Sequence, residues 1–596
     1  MSTGPAFTDE QKQYLQGFFA GLISRRGAGS GDPLVVGPPG PVTAPPITAG
    51  APATDIHRAA QDRFLAAGKQ LVPEELAKRA KDPFDMWEEM RANVAAARFP
   101  KGTDVFLHKF HGLFYVAPAQ NAFMCRLRMP NAILTAAQFR GLGEIATKYA
   151  GGYADITTRA NLQLREILPQ HGLDLLMAIQ ELGLTSRGAG ADNIRNITGS
   201  PTAGIDPQEL IDTRPLCRDL HHTILNRREF YGLPRKFNIA FDGGGQISVL
   251  EDTNDIAFAA VRVGEGQPAP AGVYFRVQLG GITGHGDLAR DSGLLLKPEE
   301  CTRAALALVR VFIDHGDRTD RKKARLKYVL ERLGLDGFVR EAEKHFGIPF
   351  RRLPLDACEP RPAQRAHGHI GVHRQRQQGF NYLGVVVPVG RLTARRMAGL
   401  ADLAERHGGG SLRLTVWQNL LISDVPDADV KALQTGLGDL GLACSTSAIR
   451  GALVACTGNA GCKFSATDTK GQALALADYL DPRVALDQPI NIHLTGCPHS
   501  CAQHRIGDIG LLGAKIEQGD DLIEGYSIWV GGSAGATQRM GREVLGPLPF
   551  ADVPQQIEGM LRAYLAHRQA PAESFAAFAA RHSDDALRRL FAGAAA

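Results

Sequence analysis

An internal repeat is the feature that most limits how this chain of 596 residues can fold. Residues 123–164 match residues 381–422 without a gap, a displacement of 258 positions. At a slightly smaller displacement, FNIAFDG at 237–243 matches INIHLTG at 490–496. Each copy alternates strand-like and helix-like patterns. The sequence therefore predicts a tandem-duplicated α/β body with mixed sheets and pseudo-twofold symmetry.

The predicted division of the chain follows from the repeat and from local composition. The Gly- and Pro-rich stretch near the start has little to bury and favours an extended linker. The pattern from residue 57 to residue 97 predicts helices. The predicted units are an N-terminal helix (7–23) with its linker (1–55), a helical lead-in (56–104), a first repeat (105–335), a connector (336–371), a second repeat (372–569) and a C-terminal helical tail (570–596).

The two repeats differ where chemistry is expected. A duplicated body usually places its site between the copies. The first repeat carries basic side chains where the second has neutral ones, and the second has four cysteines that the first lacks. We therefore expect one repeat to hold anions and the other a metal. The basic residues are Arg126, Arg159 and Arg195, and their partners at the same displacement are Gly384, Trp417 and Leu453.

Composition excludes several classes of protein. The 67 basic and 62 acidic residues leave a net charge of only +5, which gives no reason to expect a nucleic-acid partner. No stretch approaches the roughly 20 apolar residues needed to cross a bilayer, and the first residues lack a cleavable signal pattern. Nine cysteines are an odd and sparse set, so reduced thiols are expected. We expect a cytoplasmic, monomeric protein without a membrane partner.

Four cysteines have the spacing of a metal site. ACTGNAGCKFS contains Cys456 and Cys462, and LTGCPHSCAQ contains Cys497 and Cys501. Four thiolates suit tetrahedral zinc or an iron–sulfur cluster. Five residues between the first pair are awkward for a tight zinc turn, so the spacing favours iron–sulfur, with zinc or unligated core cysteines as alternatives. The other five cysteines (125, 217, 301, 358 and 444) are expected to be buried apolar residues.

These motifs resemble a known family. TGCPHSCAQHRIGDIGLLG, together with ACTGNAGCKFS, is similar to the signature of the sirohaem-containing, ferredoxin-dependent nitrite and sulfite reductases. The resemblance covers about residues 105–570, and its further motifs stand in the family's order: FMCRLRMP, DITTRANLQL, ADNIRN, GIDPQELIDTRP and LPRKFN.

The resemblance implies two cofactors. A [4Fe–4S] cluster would be held by Cys456, Cys462, Cys497 and Cys501, and Cys501 would also bridge to the iron of sirohaem. Sirohaem carries many carboxylates and needs cations and neutral donors around it. The contacts implied by motif position are Thr157, Arg159, Asn161, Gln163 and Arg235.

The resemblance also implies a basic substrate pocket. Arg126, Arg195 and Lys236 match the family's substrate-facing residues, with Arg128 a less favoured neighbour. Asn238 is typical of the nitrite-reducing branch, since the sulfite branch usually has a second lysine there. We therefore expect nitrite as the substrate, with sulfite as the alternative. The competing interpretations are a solvent-facing Arg126, a surface ion pair of Arg159 and a strand-end Lys236. Trp417 is expected to pack in the core between the repeats.

The electron donor implied by the resemblance is ferredoxin. No convincing dinucleotide turn is present, and GHGDL (284–288) and FDGGG (241–245) are better interpreted as loops. The basic run RTDRKKARLK (318–327) could dock an acidic ferredoxin, or be a solvated helix flank or a set of further cofactor contacts. Two rival functions are a precorrin-modifying enzyme that keeps the cysteine motif and a zinc-stabilised binding protein.

Overall fold

The computed structural model describes residues 53–364 and 367–593. The predicted helix at 7–23 and nearly all of the linker lie outside these residues. Helices form over the predicted lead-in, as expected. The helices are α1 (Ala53–Ala66), α2 (Pro73–Ala80), α3 (Trp87–Ala95), α4 (Asp104–Leu107), α5 (Ala136–Tyr149), α6 (Gly172–Glu181), α7 (Arg214–Leu225), α8 (Cys301–His315), α9 (Leu326–Phe346), α10 (Ala394–His407), α11 (Val430–Asp439), α12 (Thr469–Leu480), α13 (Val553–His567), α14 (Phe575–Ala580) and α15 (Asp584–Gly593).

The strands form four five-stranded sheets, in the orders β1-β2-β5-β4-β13, β10-β9-β8-β7-β6, β11-β12-β15-β14-β3 and β16-β17-β18-β19-β20. The first-repeat strands are β1 (Leu113–Val116), β2 (Ala122–Arg126), β3 (Ile133–Thr135), β4 (Tyr153–Ile156), β5 (Leu162–Ile167), β6 (Ile194–Gly199), β7 (Phe237–Asp242), β8 (Ile256–Val263), β9 (Gly272–Leu279) and β10 (Arg290–Leu296). The second-repeat strands are β11 (Gly371–Arg374), β12 (Phe380–Val385), β13 (Arg391–Thr393), β14 (Ser411–Leu414), β15 (Leu420–Pro426), β16 (Leu453–Ala455), β17 (Ile492–Thr495), β18 (Ile509–Gln518), β19 (Asp521–Val530) and β20 (Arg542–Pro549).

The repeats exchange one short strand each. Strand β3 completes a sheet of the second repeat, and β13 completes the corresponding sheet of the first. The exchange is symmetrical in register, because Leu134 pairs with Leu412 while Leu392 pairs with Ala154. Each exchanged strand leads into a helix, α5 or α10, capped by a threonine side chain. The exchange fixes the two copies around a shared core.

The other two sheets also share a topology. In each, the first three strands are parallel and the last two antiparallel. The backbone N–H of Asn238 donates to Asp255 at 2.8 Å, and that of Asn491 donates to Asp508 at 2.9 Å. These contacts lie at matching positions of the two repeats. Parallel strands place their carboxyl ends at one edge, where ligands commonly bind.

Several smaller predictions can be compared with the fold. Trp417 is 8% exposed and packs against His367 and His493, so its predicted core position is confirmed. GHGDL and the glycines of FDGGG lie in connections that follow β9 and β7. The five remaining cysteines are all buried, as expected. Every helix within residues 53–364 and 367–593 is too short or too polar to cross a membrane.

The basic run 318–327 is not an exposed docking face, and this hypothesis is wrong. Its charges are neutralised by acids that are distant in sequence, and in the run only Lys322 and Lys323 are exposed. The run forms a loop that holds the helical lead-in against the first repeat. The ion pairs are Arg318 with Glu75 at 2.6 Å, Arg321 with Asp192 at 2.8 Å, Arg325 with Asp255 at 2.7 Å, and Lys327 with Asp287.

Candidate active site

The two cysteine loops meet at one edge of the fourth sheet. Cys456 directly follows β16, and Cys497 comes shortly after β17, which runs parallel to β16. The backbone N–H of Cys456 donates to the carbonyl of Leu494 at 3.0 Å. The N–H of Gly496 donates to the Cys456 sulfur at 3.3 Å. The parallel pairing therefore brings together two cysteines that are 41 positions apart in the sequence.

Backbone and side-chain contacts shape the first cysteine loop. The Thr469 hydroxyl donates to the carbonyl oxygen of Cys456 at 2.8 Å and lies 3.4 Å from its sulfur. Gly458 has a φ of +75°, which favours glycine, and a Cβ there would lie 2.9 Å from the backbone nitrogen of Thr469. The turn after Cys456 is therefore tight and closed against the start of α12.

The four thiols influence one another. Burial raises the pKa of Cys497 to about 12, and Cys501, Cys462 and Cys456 act in the same direction. In residues 53–364 and 367–593, no three His, Cys, Asp or Glu side chains come close enough together to hold a single metal ion. A cubane cluster spaces its thiolates more widely than one zinc ion does. The donor set of four thiolates fits an iron–sulfur cluster.

Cys501 lies close to side chains of the first repeat. Its side chain is exposed, and burial of the surrounding region is the main cause of its raised pKa. Lys236 and Arg126 of the first repeat act in the opposite direction on the same thiol. The Thr158 hydroxyl donates to the Cys501 carbonyl at 3.0 Å and ties this loop to the first repeat.

Two cations close to Cys501 have no acidic partner among the described residues. Within the described part of the chain, the Lys236 ammonium makes no hydrogen bond or ion pair, and the Arg126 guanidinium only stacks on Phe114, 4.8 Å from the ring centre. Burial lowers the pKa of Arg126 to about 10. Burial, followed by the charges of Arg325 and Arg235, lowers the pKa of Lys236 well below its usual value. Uncompensated, desolvated cations favour an anion close to them.

Among the residues that the structure describes, Arg195 and Arg159 bond only to neutral groups. Arg195 donates to the carbonyls of Ala189 and Ala191, both at 2.5 Å, and its buried Nε has no partner. Arg159 donates to the carbonyl of Thr253 at 3.2 Å and to the side chain of Asn254. Burial lowers the pKa of Arg159 to about 10. Both guanidinium charges therefore remain to be balanced by a ligand.

Lys236, Arg235 and Asn238 lie together at the start of β7. Arg235 is 3.7 Å from the Asp192 carboxylate. Although burial acts to raise it, the pKa of Asp192 is lowered to about 2 by Lys78 and Arg321. Asn238 is buried. Of these three residues, Lys236 alone carries a charge without an acid close by.

The other predicted contacts shape a turn. The Thr157 hydroxyl accepts from the backbone N–H groups of Asn161 at 3.2 Å and Arg159 at 3.3 Å. The Asn161 amide donates to the Leu127 carbonyl at 2.6 Å, and the Gln163 carbonyl oxygen accepts from Arg165 at 2.9 Å. These contacts hold Arg159 in place, and direct contact of this set with a cofactor stays a prediction.

Lys109 is a site residue that the sequence reasoning missed. It is half-buried and, within residues 53–364 and 367–593, its ammonium makes no hydrogen bond or ion pair. Burial and then the charge of Arg195 lower its pKa. Its carbonyl packs against the 188–191 segment, since a Cβ on Gly190 would lie 2.3 Å from it. Lys109 lies outside the repeated segments, so only its apolar flanks could have suggested a buried cation.

Comparisons with known proteins agree with this site. The family described as nitrite and sulphite reductase 4Fe-4S domain matches residues 190–350 and 447–577, and the nitrite/sulfite reductase ferredoxin-like half domain matches residues 117–182 and 373–440. The second match covers the two sheets that exchange strands and includes Arg126 and Arg159. The first covers the other two sheets and includes Arg195, Lys236 and the four cysteines.

Individual relatives cover most of the chain. A ferredoxin–nitrite reductase of Synechococcus elongatus is 36% identical over 76% of this chain and 88% of its own length. A ferredoxin sulfite reductase of Mycolicibacterium paratuberculosis is 34% identical over 78% of this chain and 83% of its own. The solved structure of Mycobacterium tuberculosis NirA matches with a TM-score of 0.81 and 30% identity, over 88% of this chain and 99% of that one. The chain therefore belongs to the nitrite and sulphite reductase family, is an oxidoreductase, and has the family's [4Fe–4S] cluster and sirohaem as its cofactors.

Proposed function

We propose that this protein reduces nitrite to ammonium, a reaction that takes up six electrons and eight protons, with ferredoxin as the electron donor. In this proposal Cys456, Cys462, Cys497 and Cys501 would hold the [4Fe–4S] cluster, and Cys501 would also help to hold the sirohaem. The names of several relatives support the substrate and the donor. When bound, the two cofactors would supply single electrons to the anion.

One observation carries the proposal: two cations that have no acidic partner in the described part of the chain lie close to Cys501. Arg126 and Lys236 both act on the Cys501 thiol, although they come from the opposite repeat. This excess of positive charge attracts a small anion and stabilises negative charge that develops on it. Because the cations are already desolvated and fixed, little reorganisation is needed when the anion arrives.

The cations have distinct roles in this proposal. Lys236 donates protons, because its lowered pKa makes the ammonium a better acid near neutral pH. Arg126 and Arg195 keep their charge and orient the anion, since a guanidinium offers a planar fork to an oxyanion. Arg159 and Arg235 balance carboxylates of sirohaem, together with neutral donors around Thr157, Asn161 and Gln163.

Sulfite is the second candidate substrate, since a ferredoxin sulfite reductase is among the similar proteins. Sulfite carries more negative charge than nitrite at neutral pH. The neutral side chain of Asn238, two residues after Lys236 in the chain, limits the positive charge of the pocket. This difference favours nitrite.

The test is turnover of the purified holoenzyme with reduced methyl viologen. We expect nitrite to be consumed much faster than sulfite per sirohaem, and the Cys501→Ser variant to lose this activity. A faster rate with sulfite would overturn the choice of substrate. A colourless protein with stoichiometric zinc would overturn the proposed enzyme.

A further inference from the structure

An unusual group of charges lies where the first repeat meets the cysteine loops. The Asp155 carboxylate on β4 is shared by three cations: Arg391 at 2.9 Å, Arg165 at 3.2 Å and Lys470 at 3.7 Å. The side chains of Asp155, Arg165 and Lys470 are each less than one-tenth exposed. The Arg391 side chain is 39% exposed, so solvent screens its charge. One carboxylate cannot balance both buried cations, Arg165 and Lys470, so positive charge remains in this buried region.

Arg165 extends from this group to the first cysteine loop. One terminal nitrogen donates to the Thr457 hydroxyl at 2.8 Å, and the other donates to the Gly461 carbonyl at 3.2 Å. Thr457 directly follows Cys456, and Gly461 directly precedes Cys462. An arginine fork that grips two points of one loop restricts the loop more than a single bond does. A side chain of the first repeat thus fixes a loop of the second.

The electrostatic interactions also link Arg165 and Lys470 to the first cysteine loop. Burial lowers the pKa of Arg165, while the Cys462 thiolate is among the groups that act to raise it. Burial also lowers the pKa of Lys470, and Cys456 acts to raise it. The two cations therefore interact favourably with thiolates at both ends of the loop.

The duplication provides an internal comparison. In the other copy, Arg413, Ser423 and Ile133 occupy the positions that match Asp155, Arg165 and Arg391. Arg413 donates to the carbonyls of Pro201 and Ala203, and Ser423 bonds to its neighbour Asp424. The fold itself therefore does not require the charged group. It is present only on the side that carries the cysteines.

We propose that Arg165 is a positioning residue for the loop between Cys456 and Cys462, and that its charge raises the reduction potential of the cluster. The inference rests on the cysteine ligation in the proposed function. Reduction adds a negative charge to the cluster, and a buried positive charge nearby stabilises the reduced form more than the oxidised one. Contacts just outside the ligands commonly set both the orientation of a site and its potential.

The experiment compares Arg165→Gln and Arg165→Lys with the wild-type holoenzyme and with Arg140→Gln. Arg140 forms a surface pair with Asp402, between α5 and α10, and provides a matched loss of charge away from the cysteines. Two quantities are measured: iron and acid-labile sulfide per chain, and the midpoint potential of the cluster in a redox titration followed by electron paramagnetic resonance.

In R165Q we expect the ratio of reduced to oxidised cluster at a fixed potential to fall about tenfold, which is about 59 mV for one electron. In R165K we expect a smaller change in potential but reduced cluster content, because lysine keeps the charge and loses the fork. R140Q should match the wild type in both. A wild-type potential in R165Q would overturn the electrostatic role, and wild-type cluster content in R165K would overturn the positioning role.

Two further variants keep the test decisive. If R165Q retains too little cluster to titrate, Thr457→Val removes one acceptor without changing any charge. Unaltered cluster content in T457V would then overturn the positioning role. Cys462→Ser tests the ligation separately. An unaltered cluster in C462S would overturn the proposed ligand set, whereas a lost cluster there with an unaltered R165Q would overturn this inference alone.

Discussion

The backbone N–H of Gly496 points at the sulfur of Cys456, 3.3 Å away, and so joins the two cysteine loops. A hydrogen bond to a thiolate stabilises its charged form, which is the form that ligates iron. The bond depends on a close approach of backbone to Ser465, since a Cβ on Gly496 would lie 1.7 Å from the Ser465 hydroxyl oxygen. Glycine is therefore required at position 496, because any side chain there would clash with Ser465.

We expect Gly496→Ala to lose most of its cluster. Overpacking of this kind costs about 1–3 kcal/mol, which corresponds to roughly a five- to hundredfold lower occupancy. Iron and acid-labile sulfide per purified chain measure the loss. Adding Ser465→Ala removes the closest atom and should restore part of the content. If G496A held as much cluster as the wild type, the steric argument would be wrong.

Removing the charge of Lys236 should weaken catalysis. A charge-assisted hydrogen bond is worth about 1.5–3 kcal/mol, so Lys236→Gln should lower kcat/KM for nitrite by roughly ten- to hundredfold. A flatter pH dependence of kcat would mark the loss of a proton donor. The matched control is Lys101→Gln, which neutralises an exposed lysine. Equal effects in the two variants would contradict a role for Lys236 in the pocket.

The sequence predicted the duplication because glycines, prolines and capping threonines recur in matching places. It did not predict that Ile133–Thr135 and Arg391–Thr393 change places between sheets. A strand of three residues is too short for its sequence pattern to indicate which strand it pairs with. Pairing of this kind is decided by the packing of α5 against α10, which is a tertiary contact.

Short motifs were enough to predict the cysteines and most of the basic pocket, because the residues of each motif are neighbours in the sequence. The basic run at 318–327 was misinterpreted for the opposite reason. A run of charges is usually solvated, but here Glu75, Asp192 and Asp255 reach it from distant parts of the chain. The link between Arg165 and Thr457 spans 292 positions and has no sequence signal.

Lys109 should contribute to anion affinity. Its ammonium has no hydrogen bond or ion pair in the described part of the chain and is close enough to Arg195 to interact with its charge. One partly screened charge of this kind is worth on the order of 1 kcal/mol. We expect Lys109→Gln to weaken nitrite binding by roughly fivefold, measured by optical titration of the oxidised holoenzyme. Sirohaem content per chain is measured on the same sample. It shows whether Lys109 interacts with nitrite or with the carboxylates of sirohaem. Unchanged nitrite affinity together with unchanged sirohaem content would exclude Lys109 from the site.

Asn238→Lys should shift the preference towards sulfite. The substitution adds a cation beside Lys236, and a more highly charged anion gains more from it. The ratio of kcat/KM for sulfite to that for nitrite should rise by about tenfold or more. Asn238→Gln is the matched control, since it lengthens the side chain without charge. A ratio that rises equally in both variants would point to shape instead of charge.

Buried acids near the connector should make stability fall as the pH rises. Burial and then Glu251 raise the pKa of Asp252 to about 8, and burial with Glu251 raises the pKa of Asp242 to about 7, although Arg361 opposes it. Between about pH 4 and pH 8 these two carboxyls therefore hold more protons in the folded chain than in the unfolded chain, so the stability that they contribute decreases with increasing pH.

Asp252→Asn tests this dependence, because the amide mimics the protonated acid and can still accept from the N–H of Gly535, now 2.8 Å from the Asp252 carboxylate. We expect the Tm of D252N, relative to that of the wild type, to rise between about pH 5 and pH 8. Asp585→Asn, at an exposed acid, should retain the wild-type slope. Parallel slopes for all three proteins would mean that Asp252 is ionised in the folded state throughout this range.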